Sequence, residues 1–468
     1  MYIKNKIIYP LGLASIVLLS INSCKTPTEL QNIPLPEYAW ENYKTLESET
    51  SGDVEKEHLD YTKFYNDPLL IDLIELALDN NLETQILQQR IIQAEASYKL
   101  SKKAWLPLIN GEFGTNNRLS PLDKNLKDWN NTSQWNLGLN AQWEIDIWGK
   151  LKYLRNAEEA KYLQIQITEK QVKNNLIAQI AEAYYQLIAL KEALEITNKT
   201  IENWEQTVET MKALKIAGRV TEAAVTQSEA QLSSIKTSIN DLKTNILKSE
   251  QHINYLLGRP QQSIETRAID KDQKLPILEI GIPSDLLIQR PDLRIAYENV
   301  RATFFEKEAA KKYFLPSLTL TGSLGFNASQ FSDIINPISL LGNIAGGLLQ
   351  PIFHKGTNQA RLQIAKAEEK ASLYELESVY IQACMEVENL LYAFNQEQEK
   401  IKARKEEIEK LRLSVEYTEE LLESGFAIYT EVITAKQQLL QAELSGINDF
   451  IERQKLLIQL FNASGGGI

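Results

Sequence analysis

The sequence predicts an α+β membrane protein whose protomer contains one structural unit twice, each unit joining a long coiled-coil helical hairpin to two transmembrane β-strands. Three observations predict this fold: landmarks that recur at a fixed offset, segments in which apolar and polar side chains alternate, and long stretches with an apolar period of about 3.5 residues. The chain has 468 residues, of which 43% are hydrophobic and 24% are charged. This composition is typical neither of a disordered chain nor of a polytopic helical membrane protein.

The charge and the content of cysteine and histidine limit the function. The chain has 50 basic and 62 acidic side chains and a net charge of −12, which argues against a nucleic-acid-binding protein. Two cysteines exclude a disulfide framework and a cysteine-rich zinc site, and three histidines far apart leave little material for a metal centre. We therefore expect no enzyme, no cofactor, no metal site and no nucleic-acid partner.

The N-terminus resembles a secretory signal of the lipoprotein type. Two lysines precede an apolar stretch over residues 7–19, which is too short to span a membrane as a helix and is soon followed by Ser23-Cys24. A small residue before a cysteine, with Ile21 three positions before that cysteine, resembles the bacterial lipobox, whose cysteine becomes the lipidated first residue. We expect residues 1–23 to be the signal peptide and Cys24 the lipidation site; an ordinary signal peptide that contains a cysteine is the alternative.

The body of the chain contains the same landmarks twice. Trp105-Leu-Pro107 recurs as Phe314-Leu-Pro316 at an offset of 209, and Gly218 recurs as Gly425 at an offset of 207. This agreement predicts a tandem duplication. The predicted segments are a lipidated tether over 24–66, a first repeat over 67–260, a linker over 261–283, a second repeat over 284–462 and a flexible tail over 463–468.

Within each repeat, the pattern changes from helical to strand-like. Residues 69–104 predict a helix, after which apolar and polar residues alternate over 108–116 and again over 134–147. The second repeat alternates over 317–328, and the glycine-rich segment 338–353 is the least clear of the four. A face of Leu, Trp and Ile opposite a face of amides and carboxylates predicts transmembrane strands; a half-buried strand of a soluble sheet is the alternative.

Long helices follow the strands in both repeats. The stretch 151–217 contains neither proline nor glycine, so as one helix it would extend over roughly 100 Å. Apolar residues repeat along it in steps of four and three, which is the period of helices packed as coiled coils. Gly218 and Gly425 are predicted to end the long helices in the left-handed conformation, and each is followed by a returning helix.

The number of strands predicts an oligomer. Four strands cannot close a barrel, and an open sheet edge is not tolerated in lipid because each unpaired backbone group costs several kcal/mol there. Two, three or four chains would supply about 8, 12 or 16 strands, and an eight-stranded barrel is filled by its own side chains. A conduit therefore requires three or four chains, and strand counting does not decide between these.

Several motifs are similar to those of one known family. The blocks Gly281–Arg294, Phe314–Gly325, Trp143–Gly149 and Ser424–Val432 resemble the signature of TolC-like outer-membrane efflux lipoproteins, the NodT/OprM-type subgroup of tripartite RND efflux systems. The resemblance implies a homotrimer with a twelve-stranded β-barrel in the outer membrane and a twelve-helix α-barrel in the periplasm. It also implies the function of a passive, lipid-anchored exit duct that works with a periplasmic adaptor and an inner-membrane RND-type transporter.

A function of another class is the alternative: a lipid-anchored coiled-coil scaffold or adhesin without a pore. The 3.5-residue period suits both functions, because both require long packed helices. The alternating segments favour the channel, because a scaffold has no use for strands that face lipid.

The resemblance also places candidate sites at the two hairpin ends. The family docks its adaptor there, and the adaptor-facing candidates are Gly218, Arg219, Thr221, Gly425 and Thr430. Alternatively, both glycines only cap helices. Glu431 matches a place where the family commonly has acidic residues, and in a trimer it would form a ring of carboxylates that favours cations at the aperture. A solvated helix face is the alternative interpretation of Glu431.

The block Arg290-Pro-Asp-Leu-Arg294 places a carboxylate between two guanidinium groups, as some catalytic sites do. Pro291 suits the first turn of a helix, and Asp292 complements the positive helix N-terminus. We therefore predict a structural role for this block.

Overall fold

The computed structural model describes residues 61–121, 129–268 and 290–466. Cys24 and residues 269–283 of the predicted linker lie outside the described residues. The elements are α1 (Tyr61–Phe64), α2 (Pro68–Asn80), α3 (Leu82–Lys103), β1 (Leu108–Pro121), β2 (Trp129–Ile145), α4 (Lys150–Ile216), α5 (Glu222–Leu256), α6 (Pro291–Lys312), β3 (Ser317–Ala328), β4 (Leu340–Leu349), α7 (Thr357–Ser424) and α8 (Tyr429–Ala463). The order of helix, two strands, long helix and returning helix occurs twice, as α3 to α5 and as α6 to α8.

The long helices form as predicted. Helix α4 has 67 residues and α7 has 68, so each extends over roughly 100 Å. The predicted apolar stripe of α4 includes Ile180, Leu187, Trp204, Val208 and Met211, and all five are buried. Within the three described ranges, every helix is too short or too polar to cross a membrane.

Four helices lie side by side at each level of the molecule. Near the sheet, α4 packs against α3 and α6, and α7 packs against α6. Farther from the sheet, α4 packs against α5 and α8, and α7 packs against α8. The two long helices therefore run through both levels. The shorter helices α3 and α6 pack beside them near the sheet, and α5 and α8 pack beside them farther away.

The predicted helix 69–104 is wrong in one respect, because it is divided into α2 and α3 at Asn81. The Asn81 side-chain oxygen accepts the backbone N–H groups of Glu83 at 2.9 Å and Thr84 at 3.2 Å. Its amide group donates to the carbonyl oxygen of Leu256 at 2.9 Å. An asparagine that caps a new helix and bonds to a distant helix end competes with helix continuation.

The last residues of the predicted tether, 61–66, lie within the described part of the chain and pack against the body. Residues Tyr61–Phe64 form α1, and Tyr65 is buried. The Phe64 ring stacks on Phe461 of α8 with centroids 4.3 Å apart. Burial of aromatic area of this kind outweighs the entropy of ordering a few residues, which is why this part of the tether folds with the body.

Residues 463–466, the described part of the predicted tail, also contact the body of the molecule. Ala463 and Ser464 are each 3% exposed, and the N–H of Gly466 donates to the carbonyl of Phe461 at 3.0 Å. In the predicted linker, Ile264 is buried and its carbonyl accepts the Lys191 ammonium at 2.7 Å. Both segments pack on the middle of the long helices.

The four predicted strands form one antiparallel sheet in the order β1-β2-β3-β4. Leu108 is paired with Gln142, Ile145 with Leu318, and Ser317 with Leu349. Strand β1 runs five residues beyond the predicted end, to Pro121, and β2 ends at Ile145 and not at the predicted 147. The least clear segment, 338–353, contains β4 in its middle.

The Arg-Pro-Asp-Leu-Arg block has the predicted structural role. Pro291 is the first residue of α6. Arg290 is 8% exposed and donates to both oxygens of Asp292, at 3.1 and 2.8 Å, and to Glu386 of α7 at 2.6 Å. It also donates to the carbonyl of Ala463 at 3.1 Å, so one guanidinium joins the start of α6, the middle of α7 and the end of α8.

Candidate functional site

The sheet has two chemically different faces. On one face, the register aligns the polar residues Asn110, Asn140, Ser323 and Asn343 in one row across all four strands. Glu112 lies on the same face and accepts the Asn140 amide at 2.6 Å. The other face carries exposed large apolar side chains, namely Ile109, Phe113, Leu139, Leu324, Ile344 and Leu348. This distribution fits a wall between lipid and water.

Both outer strands of the sheet have an unpaired side. β1 is paired only with β2, and β4 only with β3, within the described residues. Unpaired N–H and C=O groups require partners in a lipid environment, because no water is available there. A sheet of this kind in a membrane therefore requires further strands beside β1 and β4.

Two tryptophans join the helices to the strands. The Trp143 indole N–H donates to the carbonyl of Trp105 at 2.6 Å, and the Trp148 indole N–H donates to the carbonyl of Pro316 at 2.7 Å. The first bond lies within one repeat and the second connects the two repeats. Tryptophan at such a position is typical of the boundary between membrane and water.

Both tip glycines have the predicted conformation. Gly218 has φ +71° and Gly425 has φ +81°, which is the left-handed region that glycine adopts without strain. After Gly218, the N–H of Arg219 donates to the carbonyl of Leu214 at 2.9 Å, and after Gly425, Phe426 makes the equivalent bond to Leu421 at 2.8 Å. Each glycine ends its long helix and reverses the chain.

The structure brings two of the adaptor-facing candidates together. The Arg219 guanidinium donates to the carbonyl of Glu423 at 2.9 Å, and a Cβ atom on Gly425 would lie 2.7 Å from Arg219 Nη2. Arg219 therefore spans the two tips within one chain. Thr221 is exposed directly before α5, and Thr430 is half-buried in the first turn of α8.

Glu431 is exposed and caps its own helix. Its carboxylate accepts the N–H of Ile428 at 3.2 Å, while its own N–H donates to the Ile428 carbonyl at 3.0 Å. A second acidic residue near this tip, Glu419, forms an ion pair with Lys436 at 2.5 Å. The two acidic residues of the second tip thus differ: Glu419 pairs with a cation, whereas Glu431 hydrogen-bonds to the backbone of Ile428.

Three apolar side chains at the tips were not predicted from the sequence. Ile216 is 88% exposed, Phe426 is 84% exposed and Ile428 is 62% exposed. Each lies within three residues of Gly218 or Gly425. In the sequence they could have been recognised as apolar residues that lie outside the apolar stripe of the long helices. Exposed apolar side chains that lie close together are typical of contact surfaces.

A groove of about 780 Å³ lies next to the tips, between α4, α7 and α8. Its lining includes the apolar Trp204 and Met211 and the cationic Arg404, Arg412 and Arg453. Groups of three or more histidine, cysteine, aspartate or glutamate side chains that could hold a metal ion do not occur in the described part of the chain.

Comparison with known proteins gives consistent results. The sequence model described as outer membrane efflux protein matches residues 73–259 and 282–466. The cation efflux system protein CusC of Escherichia coli O6:H1 is 27% identical over 406 residues, which cover 86% of this chain and 87% of the relative. The pyoverdine export outer membrane protein OpmQ of Pseudomonas putida is 26% identical over 457 residues, 96% of each chain.

Solved structures resemble this fold closely. A crystal structure of CusC superposes with a TM-score of 0.82 at 26% identity, covering 88% of this chain and 95% of the other. The outer-membrane channel OprN superposes with a TM-score of 0.84 at 23% identity, covering 93% and 98%. The second likeness concerns the fold alone.

Proposed function

Since this chain belongs to the outer membrane efflux protein family, we propose that three copies of it form one duct, with a twelve-stranded β-barrel above a twelve-helix α-barrel. The chain is an outer-membrane efflux channel, a passive exit duct of a tripartite pump, and not an enzyme. Three copies of the four-stranded sheet supply the twelve strands. A twelve-stranded barrel is wider than the eight-stranded type, whose interior is filled by side chains.

One observation carries the trimer proposal: the four-stranded sheet is apolar on one face, polar on the other and open at both outer strands. Neighbouring copies would pair β1 of one chain with β4 of the next and so remove both open sides. A lipid-anchored scaffold or adhesin has no need for such a sheet. The family match likewise supports the duct over the scaffold.

A tandem duplication is part of the same proposal. The repeated order of elements, α3 to α5 and α6 to α8, supports it. The family model also matches the chain in two segments, 73–259 and 282–466. A duplicated unit explains why every level of one protomer contains four helices.

Ion conductance and oligomeric state test the duct directly. The purified mature protein is expected to run as a heat-modifiable trimer in gel electrophoresis and to conduct ions in planar lipid bilayers. A monomeric, non-conducting rod would contradict the proposal and favour the scaffold.

The lipid anchor is proposed at Cys24. Its position after the apolar signal segment resembles a lipobox, and the relative SilC of Salmonella typhimurium is named a probable outer membrane lipoprotein. Cys24→Ala is expected to abolish labelling of the protein by a fatty-acid probe and to leave an unprocessed precursor. Normal labelling of that variant would show that the anchor lies elsewhere. Export is expected to fall only in part, because the barrel also holds the protein in the membrane.

The partners are proposed to be a periplasmic adaptor and an inner-membrane RND-type transporter. The adaptor would contact the tips at Gly218, Arg219, Thr221, Gly425 and Thr430, together with the exposed apolar side chains found there. These apolar side chains would supply contact area, and the polar candidates would supply orientation.

Arg219→Glu is expected to weaken cross-linking to the adaptor at least about tenfold, because it reverses a charge at the contact surface. The same change also removes the bond to the Glu423 carbonyl. Arg219→Gln is the matched control, because it removes the charge and keeps a hydrogen-bond donor. Equal cross-linking of Arg219→Glu and the parent, with trimers intact, would contradict a contact role.

The aperture is proposed to contain a ring of three Glu431 carboxylates. Glu431→Gln is a clean test, because glutamine retains the ability to accept the Ile428 N–H and so keeps the helix cap. We expect lower cation selectivity and weaker block by multivalent cations in single-channel recordings. Unchanged selectivity and block would place Glu431 outside the narrowest part of the duct.

A further inference from the structure

Lysines are concentrated where the helices meet the sheet. Because neighbouring strands are antiparallel, β1 and β3 begin at this end of the sheet and β2 and β4 end there. The seven residues beyond each strand terminus are 101–107, 146–152, 310–316 and 350–356. These segments contain seven lysines and a single carboxylate, that of Asp146. The chain as a whole is acidic, so the excess of positive charge in these segments runs against the average of the sequence.

The opposite end of the sheet has no such excess of positive charge. In the sequence between β1 and β2, residues 122–128, two lysines are balanced by two aspartates. Residues 329–339 connect β3 to β4 and contain one carboxylate, Asp333, but no lysine or arginine. At the helical end, both repeats place a lysine pair before the shared Leu-Pro motif, Lys102-Lys103 in the first and Lys311-Lys312 in the second. The basic character is therefore present in both halves of the protomer.

Helix dipoles account for only part of this pattern. The two lysine pairs lie in the last turns of α3 and α6, where a cation is favoured by the helix dipole. Lys152 lies in the first turn of α4, and Lys355 lies two residues before α7. A helix N-terminus disfavours cations. The Asp146 carboxylate accepts the backbone N–H of Lys152 at 3.0 Å and so complements the start of α4, but the Lys152 ammonium has no ion-pair partner among the described residues, and the first turn of α7 lacks acidic residues. These two lysines are explained better by an anion outside the chain.

Four of the lysines are exposed and have no ion-pair partner among the described residues. We call Lys102, Lys103, Lys152 and Lys355 the basic collar. Lys150 is paired with Glu144, and Lys311 with Glu308. The Lys102 ammonium lies 4.1 Å from the centroid of the Tyr98 ring, a contact that leaves its other protons available. The collar therefore presents ammonium groups that the chain itself does not neutralise.

The collar lies at the level where the lipid-facing surface begins. Trp105 and Trp148 are exposed in the same connections, and the apolar face of the sheet starts a few residues farther at Ile109. Tryptophan beside lysine at the edge of an apolar band is typical of the head-group region of a bilayer. In an outer-membrane duct, this end of the sheet faces the periplasm.

We propose that the basic collar binds the phosphate groups of anionic phospholipids in the periplasmic leaflet of the outer membrane. The proposal rests on the proposed function, because it requires the sheet to cross that membrane. Lysine binds phosphate as a point charge, and basic segments next to an anionic leaflet are attracted to it. A trimer would surround the barrel with three copies of the four collar lysines, which would fix the depth of the barrel in the membrane.

Lipid binding to the purified trimer tests the collar. Phosphatidylglycerol and phosphatidylcholine with the same brominated acyl chains are added to the delipidated trimer, and quenching of tryptophan fluorescence is recorded. The parent is expected to bind phosphatidylglycerol about tenfold more tightly, and high salt should remove this preference. The change of all four collar lysines to glutamine should abolish it. The control changes four exposed lysines of α5 and α7 to glutamine, namely Lys243, Lys248, Lys402 and Lys410.

Each outcome supports or contradicts the proposal that the basic collar binds anionic phospholipid. A collar variant that keeps the parental preference overturns it, and an equal loss in the control variant assigns the effect to net charge. Competition by millimolar inorganic phosphate that removes the preference would assign the site to free phosphate and also overturn the proposal. If the variant with all four substitutions does not assemble, two double variants replace it in the same assay. One is Lys102→Gln with Lys103→Gln, and the other is Lys152→Gln with Lys355→Gln. In each double variant, the preference for phosphatidylglycerol over phosphatidylcholine is expected to fall by a factor of about three.

The same preparations separate this inference from the proposed function. A parent protein that neither trimerises nor conducts contradicts the duct. A conducting trimer that binds both lipids equally contradicts the collar alone.

Discussion

Replacement of Arg290 by alanine is expected to lower the free energy of unfolding by about 2–4 kcal/mol. The guanidinium is buried and joins three helices through Asp292, Glu386 and the Ala463 carbonyl. Its removal leaves the two carboxylates facing each other without a cation. We place the expected loss below that of a fully buried pair because the Glu386 side chain is 49% exposed, and solvent screens that partner.

Chemical denaturation of the detergent-solubilised protein, followed by tryptophan fluorescence, measures this loss. Arg294→Ala is the matched control, because Arg294 belongs to the same block but is exposed. A loss below about 0.5 kcal/mol for Arg290→Ala, or the same loss for both variants, would contradict the junction as a source of stability.

Gly325→Ala is expected to prevent assembly of the barrel. A Cβ atom at this position would lie 2.6 Å from Gly138 Cα and 2.6 Å from the Leu137 carbonyl oxygen. Gly138 is paired with Gly325 in the register of β2 and β3. Both obstructing atoms belong to the backbone, so the strands have to separate. Ladder bonds that open within lipid cost several kcal/mol each, so we expect at least about a tenfold loss of membrane-inserted trimer.

The control for this variant lies on the same strand. A Cβ atom on Gly322 would lie 3.8 Å from the Asn343 carbonyl oxygen, which is ordinary van der Waals contact, so Gly322→Ala is expected to assemble normally. Heat-modifiable trimer in isolated membranes is the measurement for both variants. Normal assembly of Gly325→Ala would show that the two strands separate at little cost. The close approach fits a glycine pair at a strongly curved place in a barrel wall.

Neither glycine of this pair was identified from the sequence. Gly138 and Gly325 lie within alternating segments, where they read as small members of the polar face. Their importance depends on strand register, which pairs residues that are 187 positions apart. Alternation identifies which residues share a face, but it does not identify which residues are opposite one another.

At the tips, too, some features follow from the local sequence and others depend on contacts between distant residues. The sequence placed Gly218 and Gly425 at the helix ends correctly, because a long helical pattern that stops at a glycine is a local signal. The bond from Arg219 to the Glu423 carbonyl spans 204 positions. It turns an expected partner-facing cation into a group that also joins the two tips of one chain, and no local pattern contains that information.

The sequence by itself determined the type and order of nearly all the described elements, because the periods of helices and strands are properties of neighbouring residues. It did not determine where Asn81 divides a helix, since that break also depends on the carbonyl of Leu256. It did not show that residues 61–66 and 463–466 join the core, since Phe64 needs Phe461 as its partner. These features depend on contacts between distant parts of the chain, and only the tertiary structure decided them.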